Sequence, residues 1–539
     1  MSAQQGIPVM ILREGSQRTT GKEAQRNNIL AAKVITETIK TTLGPKGMDK
    51  MLVAGMGDII ITNDGATIMK QMDVQHPAAK MLVEAAKTQD SEVGDGTTTV
   101  VVLAGELLTN AENLLNKEVH PTVIIEGYKK ASEKALEIIE KMSIDVRLGD
   151  ERMLKQIAMT SMSTKATAGT SEHLATLATA AIRQIMEERD GKITADINQV
   201  KVVKKKGQSM EQSELVKGVI VDPPVSHPQM PKLIRNAKVA LLNVKIEVDK
   251  TEFDAKINIT SPDQMKSFLH EEESMLREMT EKIARSGANV VFCEKGIDDI
   301  ALHFLAKKGI MAVKSVSSGD MEKLAKATGA TIQASMKEVS STGLGEAKLV
   351  EEVKLGKDER VYVRDCKNPH SVSVMIRGGS DHVVDEAERS FHDAVCAVRN
   401  VVEDGKIVAG GGAAEAETAK QLHEYSVKLG GREQLAIEAY ADALELIPLT
   451  IAENGGLDPI DVIADLRSKH ANPENKWFGI QVESGKVTNM LEQKVVEPIR
   501  VKQQAIKSAT EAACMLLRID DVLSSKGMKD GLGGTKSKP

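Results

Sequence analysis

The sequence is poor in aromatic rings: one Trp, four Tyr and six Phe make up 2% of 539 residues. Proteins that stack bases or sugars on ring faces need more, so that class of binder is disfavoured. The core must be built from Ala, Val, Ile, Leu and 25 Met. Cysteine is scarce too. Cys293, Cys366, Cys396 and Cys514 lie far apart with no C-x-x-C pair, which speaks against a zinc site or a disulfide framework. The 11 His show no H-E-x-x-H or other ligand spacing. The longest basic run, Lys204-Lys205-Lys206, is too short for a nucleic-acid stripe and reads as a solvated face. No stretch approaches the roughly 18 apolar residues that a bilayer span needs. Met1 to Leu12 has neither a positive n-region nor a useful apolar run, so it does not read as a secretory signal. The expectation is a soluble, reduced, cytoplasmic protein without a nucleic-acid or membrane partner.

What is present is a globular balance, 41% hydrophobic and 27% charged, with a net charge of −6. The length implies several domains. The first third reads as helices. Ile29, Leu30, Val34, Ile35, Ile39 and Leu43 share one stripe over 22–43, and Gly44-Pro45 ends it. A strand over 58–62 runs into Asn63-Asp64-Gly65. Pro77 and Pro121 open further helices, and Gly94 to Thr99 feeds a long apolar one. From 237 to 334, strands at 239–244, 289–293, 310–313 and 331–333 alternate with helices at 263–286, 297–308 and 320–328. That alternation predicts a small α/β domain with parallel strands.

In the helix after Pro262, Met265, Phe268, Leu269, Leu276, Met279 and Ile283 form a stripe. It fits either a core face or an adaptable surface for a partner. The polar segment 249–262 before it reads as a projection. The last third is helical again, punctuated by Gly410-Gly411-Gly412, Pro448, Gly455-Gly456 and Pro473. The Gly- and Lys-rich tail 526–539 reads as disordered.

The best candidate for chemistry is Gly94-Asp95-Gly96-Thr97-Thr98-Thr99. Two glycines let the backbone approach a ligand closely. Free amides at a helix start favour an anion such as phosphate. Asp95 would repel phosphate unless Mg2+ sat between them. A plain capped turn remains the other reading, and G-x-x-x-x-G-K-[ST] is absent. Taken singly, Thr42 to Gly47 is a helix stop, Asn63-Asp64-Gly65 a tight turn, Gly410 to Gly412 a loop, and Asp393 a helix carboxylate.

Together these segments resemble the group II chaperonins, the family of the archaeal thermosome and the eukaryotic cytosolic chaperonin. The resemblance is carried by Thr42-Leu43-Gly44-Pro45-Lys46-Gly47-Met48-Asp49-Lys50, Thr62-Asn63-Asp64-Gly65-Ala66-Thr67-Ile68 and the 94–99 loop. Ala409 to Gly412, Gly431 to Ala436, Val496-Glu497-Pro498 and Leu517 to Asp521 complete it. It implies a multidomain α and α/β fold. A mostly helical equatorial ATP-binding domain would span 1–150 and 405–539, and a hinge domain 151–218 and 371–404. An α/β apical client-binding domain would span 219–370, with a helical lid protrusion at about 245–280. Two stacked rings of identical or homologous subunits would enclose unfolded client proteins, with ATP and Mg2+ as cofactors.

The resemblance also implies residue roles. Leu43, Gly44, Pro45, Asp95, Gly96, Thr97, Thr98 and Thr99 would hold the phosphates, and Asp95 would ligate Mg2+. Asp64 and Asp393 would polarise the attacking water, Asp393 only after the subunit closes. Lys165 would sense the γ-phosphate. Gly411 and Glu497 would contact the nucleoside, Glu497 through ribose hydroxyls. Thr164 replaces the family's Gly before Lys165, Gln481 stands where Asn is usual, and the tail lacks Gly-Met repeats. Two other classes compete. A metabolic nucleotide-dependent enzyme would need a second catalytic constellation in the central region, and none is evident. A ring scaffold without turnover would not need Asp64, Asp95 and Asp393.

Overall fold

A computed structural model of the chain describes residues 17–53, 57, 59–147, 149–163, 170–248, 262–356, 358–366 and 370–524. The N-terminal segment Met1 to Leu12, the positions Thr164 and Lys165, nearly all of the polar segment 249–262 and the tail 526–539 lie outside them. The chain forms two compact units. One holds the residues up to Asp145 and from Lys406 onward, the other Val146–Gly405.

Five helices open the first unit: α1 (Gly21–Lys40), α2 (Gly65–Gln71), α3 (Pro77–Glu92), α4 (Thr97–Asn116) and α5 (Pro121–Met142). Pro at the first position suits α3 and α5, because that amide would be unpaired anyway. The rings of His76 and His120 cap them, accepting from the Ala78 and Thr122 amides at 3.2 and 3.3 Å. The stripe at 22–43 ends one turn earlier than expected, at Lys40. α4 is apolar nearly all round and runs through the core, with Val100 to Ala104 fully buried. α1 packs on it where a Cβ at Gly105 would lie 1.9 Å from Thr36 Oγ1. A hairpin of Lys50–Val53 and Ile59–Thr62 leaves Met51, Val53, Ile59 and Ile61 exposed.

The second unit contains α6 (Glu151–Met162), α7 (Ser171–Ile185), α8 (Pro262–Ser286), α9 (Asp299–Lys307), α10 (Ser318–Thr328) and α11 (Asp381–Asp404). Its larger sheet runs Met311–Val313, Val290–Cys293, Leu233–Leu242, Gly345–Leu355, Asp358–Cys366, Gly218–Val221, with Ile332–Gln333 also on Leu233–Leu242. The expected parallel strands form only one half of it. The other half is antiparallel. The difference has a simple cause: Gly345–Leu355 and Asp358–Cys366 are separated by only two residues, too few for the helix that a parallel crossover needs. A separate three-stranded sheet of Val200–Lys206, Val372–Gly378 and Glu214–Val216 packs with α7 and α11. The stripe on α8 divides. Leu276 and Ile283 are buried in the core against α9, whereas Met265, Phe268 and Leu269 are exposed.

The chain then returns to the first unit with α12 (Ala413–Leu429), α13 (Gly431–Asn454), α14 (Pro459–His470) and α15 (Ile499–Leu517). Pro448 does not break the chain as punctuation; it lies inside α13. Its ring fills space that a side chain at Gly412 would need, 2.6 Å from an added Cβ. Tyr128 and Tyr440 meet edge-to-face at 5.5 Å in the core. Among the described residues no helix is long and apolar enough to cross a membrane.

Candidate functional site

Three turns of the first unit meet at Thr98. Beyond α1 the chain bends through Gly44 at φ +88°, a backbone state that favours glycine. Leu43 is half-buried, Gly44 buried and Pro45 exposed. The Asn454 amide donates to Lys40 O at 3.0 Å and Leu43 O at 2.8 Å, satisfying carbonyls that the helix end leaves open. Asp64 caps α2, its Oδ2 accepting from the Thr67 amide at 2.9 Å and Thr67 Oγ1 at 2.6 Å. A Cβ on Gly65 would sit 2.6 Å from Thr98 Oγ1 and 2.9 Å from Thr98 N. Only glycine lets the α2 start abut the α4 start. Thr42 Oγ1 lies 3.5 Å from Thr98 Oγ1.

The 94–99 loop is held from behind. Gly94 and Gly96 have φ of +75° and +77°. Gln89 Nε2 donates to Asp95 O at 2.8 Å and Val501 O at 3.3 Å, which ties the loop to α15. Asp95 Oδ1 accepts from the Gly96 amide at 2.6 Å. Gly96 is the N-cap residue of α4, and no side chain caps that helix. A capless first turn leaves amides for an anionic ligand, and Thr97 to Thr99 add hydroxyls beside them. The set fits a phosphate group with a divalent ion at Asp95. Backbone amides and hydroxyls suit phosphate oxygens, and a carboxylate suits a hard cation.

A second cluster lies at the other side of the loop. Gly411 and Gly412 have φ of +63° and +77° and lead into α12. Gly411 O accepts from Ile480 N at 2.9 Å, and a Cβ on Gly411 would lie 2.7 Å from Met490 Cε. Glu497 pairs with Val408 on the neighbouring strand. Its Oε1 stands 2.8 Å from where a Cβ on Gly410 would be, and its Oε2 lies 2.7 Å from Lys502 Nζ. Burial pushes the Glu497 carboxyl above its ordinary value. Lys502 opposes that, while the charges of Glu415 and Asp95 add to it. Gln481 is engaged at both ends, donating to Gln493 Oε1 at 3.1 Å and accepting from Ser484 Oγ at 2.9 Å.

Thus Leu43 to Pro45, Asp64, Asp95 to Thr99, Gly411 and Glu497 all belong to one unit, and the turns that carry them are linked by direct contacts. Asp393 stands on the buried side of α11 in the other unit. Several residues of this region carried no role in the sequence reading: Gln89, Glu415, Asn454 and Lys502. For Lys502 a signal existed. It occupies a core position of α15 together with Ala505, Ile506 and Ala509, and a buried lysine needs a partner. The fold also gathers His423, Asp442 and Glu445 within 4.8 Å, which spacing did not show. Arg467 already holds Glu445 there, Nε to Oε1 at 2.9 Å.

Comparison with known proteins accounts for nearly the whole chain. The pattern of the TCP-1/cpn60 chaperonin family matches residues 35–527. A thermosome subunit beta from Archaeoglobus fulgidus is 54% identical over 99% of this chain and 98% of its own. A thermosome subunit from Methanopyrus kandleri is 56% identical over 98% of this chain and 96% of its own. One from Pyrococcus horikoshii is 54% identical over the same shares.

Proposed function

The chain belongs to the TCP-1/cpn60 chaperonin family and is an ATP-dependent chaperone subunit, and we propose that it encloses non-native proteins in a double-ring chamber with a built-in lid. Its relatives are named as thermosome alpha and beta subunits, and assembly with homologous subunits follows from the family. The exposed apolar residues of the 50–62 hairpin supply a surface suited to such a neighbour. We assign the cytoplasm as its compartment.

The observation that carries the site reading is the meeting of three turns at Thr98. Thr97 to Thr99, with the first amides of α4, bind the phosphates, and Gly44 lets the neighbouring turn approach them. Mg2+, held by Asp95, neutralises charge on the triphosphate when bound. Asp64, fixed by Thr67, polarises the attacking water. Asp393 joins Asp64 when the hinge closes, so hydrolysis waits on closure. Lys165 answers the γ-phosphate. Gly411 and Glu497 hold the nucleoside. The first unit serves as the equatorial domain. In the second unit the three-stranded sheet with α6, α7 and α11 supports a hinge over 151–218 and 371–404. The larger sheet supports an apical domain over 219–370. The exposed half of α8 favours a lid or client surface at about 245–280.

Phosphate release by the purified protein, with and without a magnesium chelator, tests the chemistry. Electron microscopy with and without ATP tests the chamber. Mg-dependent turnover and a double ring that closes with ATP are expected. Particles no larger than a tetramer, or turnover indifferent to chelation, would overturn the reading.

A further inference from the structure

Behind Glu497 lies a buried group of three charges that nothing in the phosphate-binding half requires. Lys502, on the first turn of α15, places Nζ 2.7 Å from Glu497 Oε2 and 2.8 Å from Glu415 Oε1. Glu415 belongs to the first turn of α12, directly after the three glycines. The Lys502 and Glu415 side chains are 9% and 6% exposed, whereas Glu497 keeps 23%. The cation and one carboxylate are therefore sealed inside, and Glu497 is the most exposed of the three.

We propose that Lys502 is the positioning residue of the nucleoside end, fixing Glu497 as the acceptor for both hydroxyls of a ribose and making the site selective for ribonucleotides. This rests on the assignment of Glu497 to the ribose. The geometry supports it in three ways. One oxygen of Glu497 is committed to Lys502, so the carboxylate cannot swing. The other packs against Gly410, 2.8 Å from where a Cβ would stand, so only glycine leaves that oxygen its place. Lys502 and Val501 are adjacent, and Val501 O accepts from the Gln89 amide that also holds Asp95, so the same turn of α15 registers both ends of the site.

The charge balance adds a consequence. One cation serves two carboxylates in a buried place, and the charged groups facing Glu497 are Lys502 from its own side of the chain, Glu415 from α12 and Asp95 from the loop. Burial, Glu415 and Asp95 drive Glu497 toward its protonated form, and Lys502 resists. A protonated Glu497 loses acceptor capacity for a diol. Removal of Lys502 would take away the group that resists this shift and that anchors Glu497 Oε2.

The test measures dissociation constants of ATP and 2′-deoxyATP across acid to alkaline pH on the purified assembly. Lys502→Met is expected to cut the preference for ATP by roughly tenfold at neutral pH, the order expected for losing a charged hydrogen-bond partner. Lys502→Arg, which keeps the cation, should restore part of it. A Lys502→Met protein with the wild-type ratio at every pH overturns the proposal. Should that variant fail to fold, Lys502→Arg carries the test by itself, since it keeps the cation but alters its contact with Glu497. A partial loss of the ATP preference is then expected, and a wild-type ratio overturns the proposal. Glu497→Gln separates the two layers. If it keeps the ATP preference, the ribose assignment itself is wrong. If it loses the preference while Lys502→Met keeps it, only the role of Lys502 falls.

Discussion

The two ends of the candidate site, the proposed phosphate end and the proposed nucleoside end, are built by different means. At the phosphate end, short turns do the work: a glycine beyond α1, an aspartate cap on α2, and a glycine cap on α4. Each is a local device, and packing only has to bring their tips together at Thr98. At the nucleoside end the local devices are few. Glycine opens space at 410–412, but the polar groups are held by buried charges from α12 and α15. A turn keeps its geometry through bonds between near neighbours. A buried charge keeps its geometry only while its distant partner stays in place. The first end should therefore fail in catalysis when broken, and the second in binding and in pH response.

The largest effect expected from that contrast is at Asp64. Asp64→Ala should lower kcat by about 10²–10⁴-fold if it acts on the water, while ATP binding stays near the wild-type value. Losing its cap on α2 should cost only about 1 kcal/mol of stability. Single-turnover hydrolysis beside equilibrium ATP binding reads both, and a loss confined to binding would erase the distinction between the two ends.

Next come the two glycines. Gly65→Ala puts a methyl 2.9 Å from a backbone nitrogen, which cannot yield as a side-chain tip can. Overpacking of this kind costs about 1–3 kcal/mol, and it should appear in kcat. Gly411→Ala meets the flexible end of Met490 and also strains a φ of +63°. A comparable cost, about 1–2 kcal/mol, should appear in KM instead. Steady-state kinetics of the pair would show whether the two defects separate.

A smaller effect lies in acid. His470, buried on α14, places Nδ1 2.7 Å from Glu417 Oε2 and Nε2 2.8 Å from Phe478 O. It links α12 to the strand that carries Gln481. Burial pushes Glu417 up, but hydrogen bonds from His470 and Gln421 outweigh it and hold the carboxyl below its ordinary value. A depressed folded value means stability that is present above the unfolded carboxylate range, near about 4.3, and is lost as pH falls through the folded value. Glu417→Gln should flatten the acid limb of the melting profile by about 1 kcal/mol or less and leave the neutral-pH phosphate end unaffected. An acid limb identical to wild type would remove this pair from the account.

The smallest effect is expected outside the site, at the exposed end of α8. Met265→Ser and Leu269→Ser remove exposed side chains and should change stability by no more than about 0.5 kcal/mol. Leu276→Ala on the same stripe should cost about 2–5 kcal/mol. Chemical denaturation of both would confirm that one periodic pattern serves two purposes, core at one end and free surface at the other.

Much of this molecule was legible as a chain of letters. Helical stripes, the prolines that open α3 and α5, and the glycines at 44, 94, 96 and 411 follow from bonds that close within a few residues. Local sterics fix them wherever the chain goes. Three features were not legible. The antiparallel half of the large sheet depends on which strands find each other. The division of the α8 stripe depends on where α9 ends its cover. The partners of Lys502 and His470 depend on packing between helices far apart in the chain. In each case the deciding energy belongs to a contact between distant segments, and only the folded backbone states which segments meet.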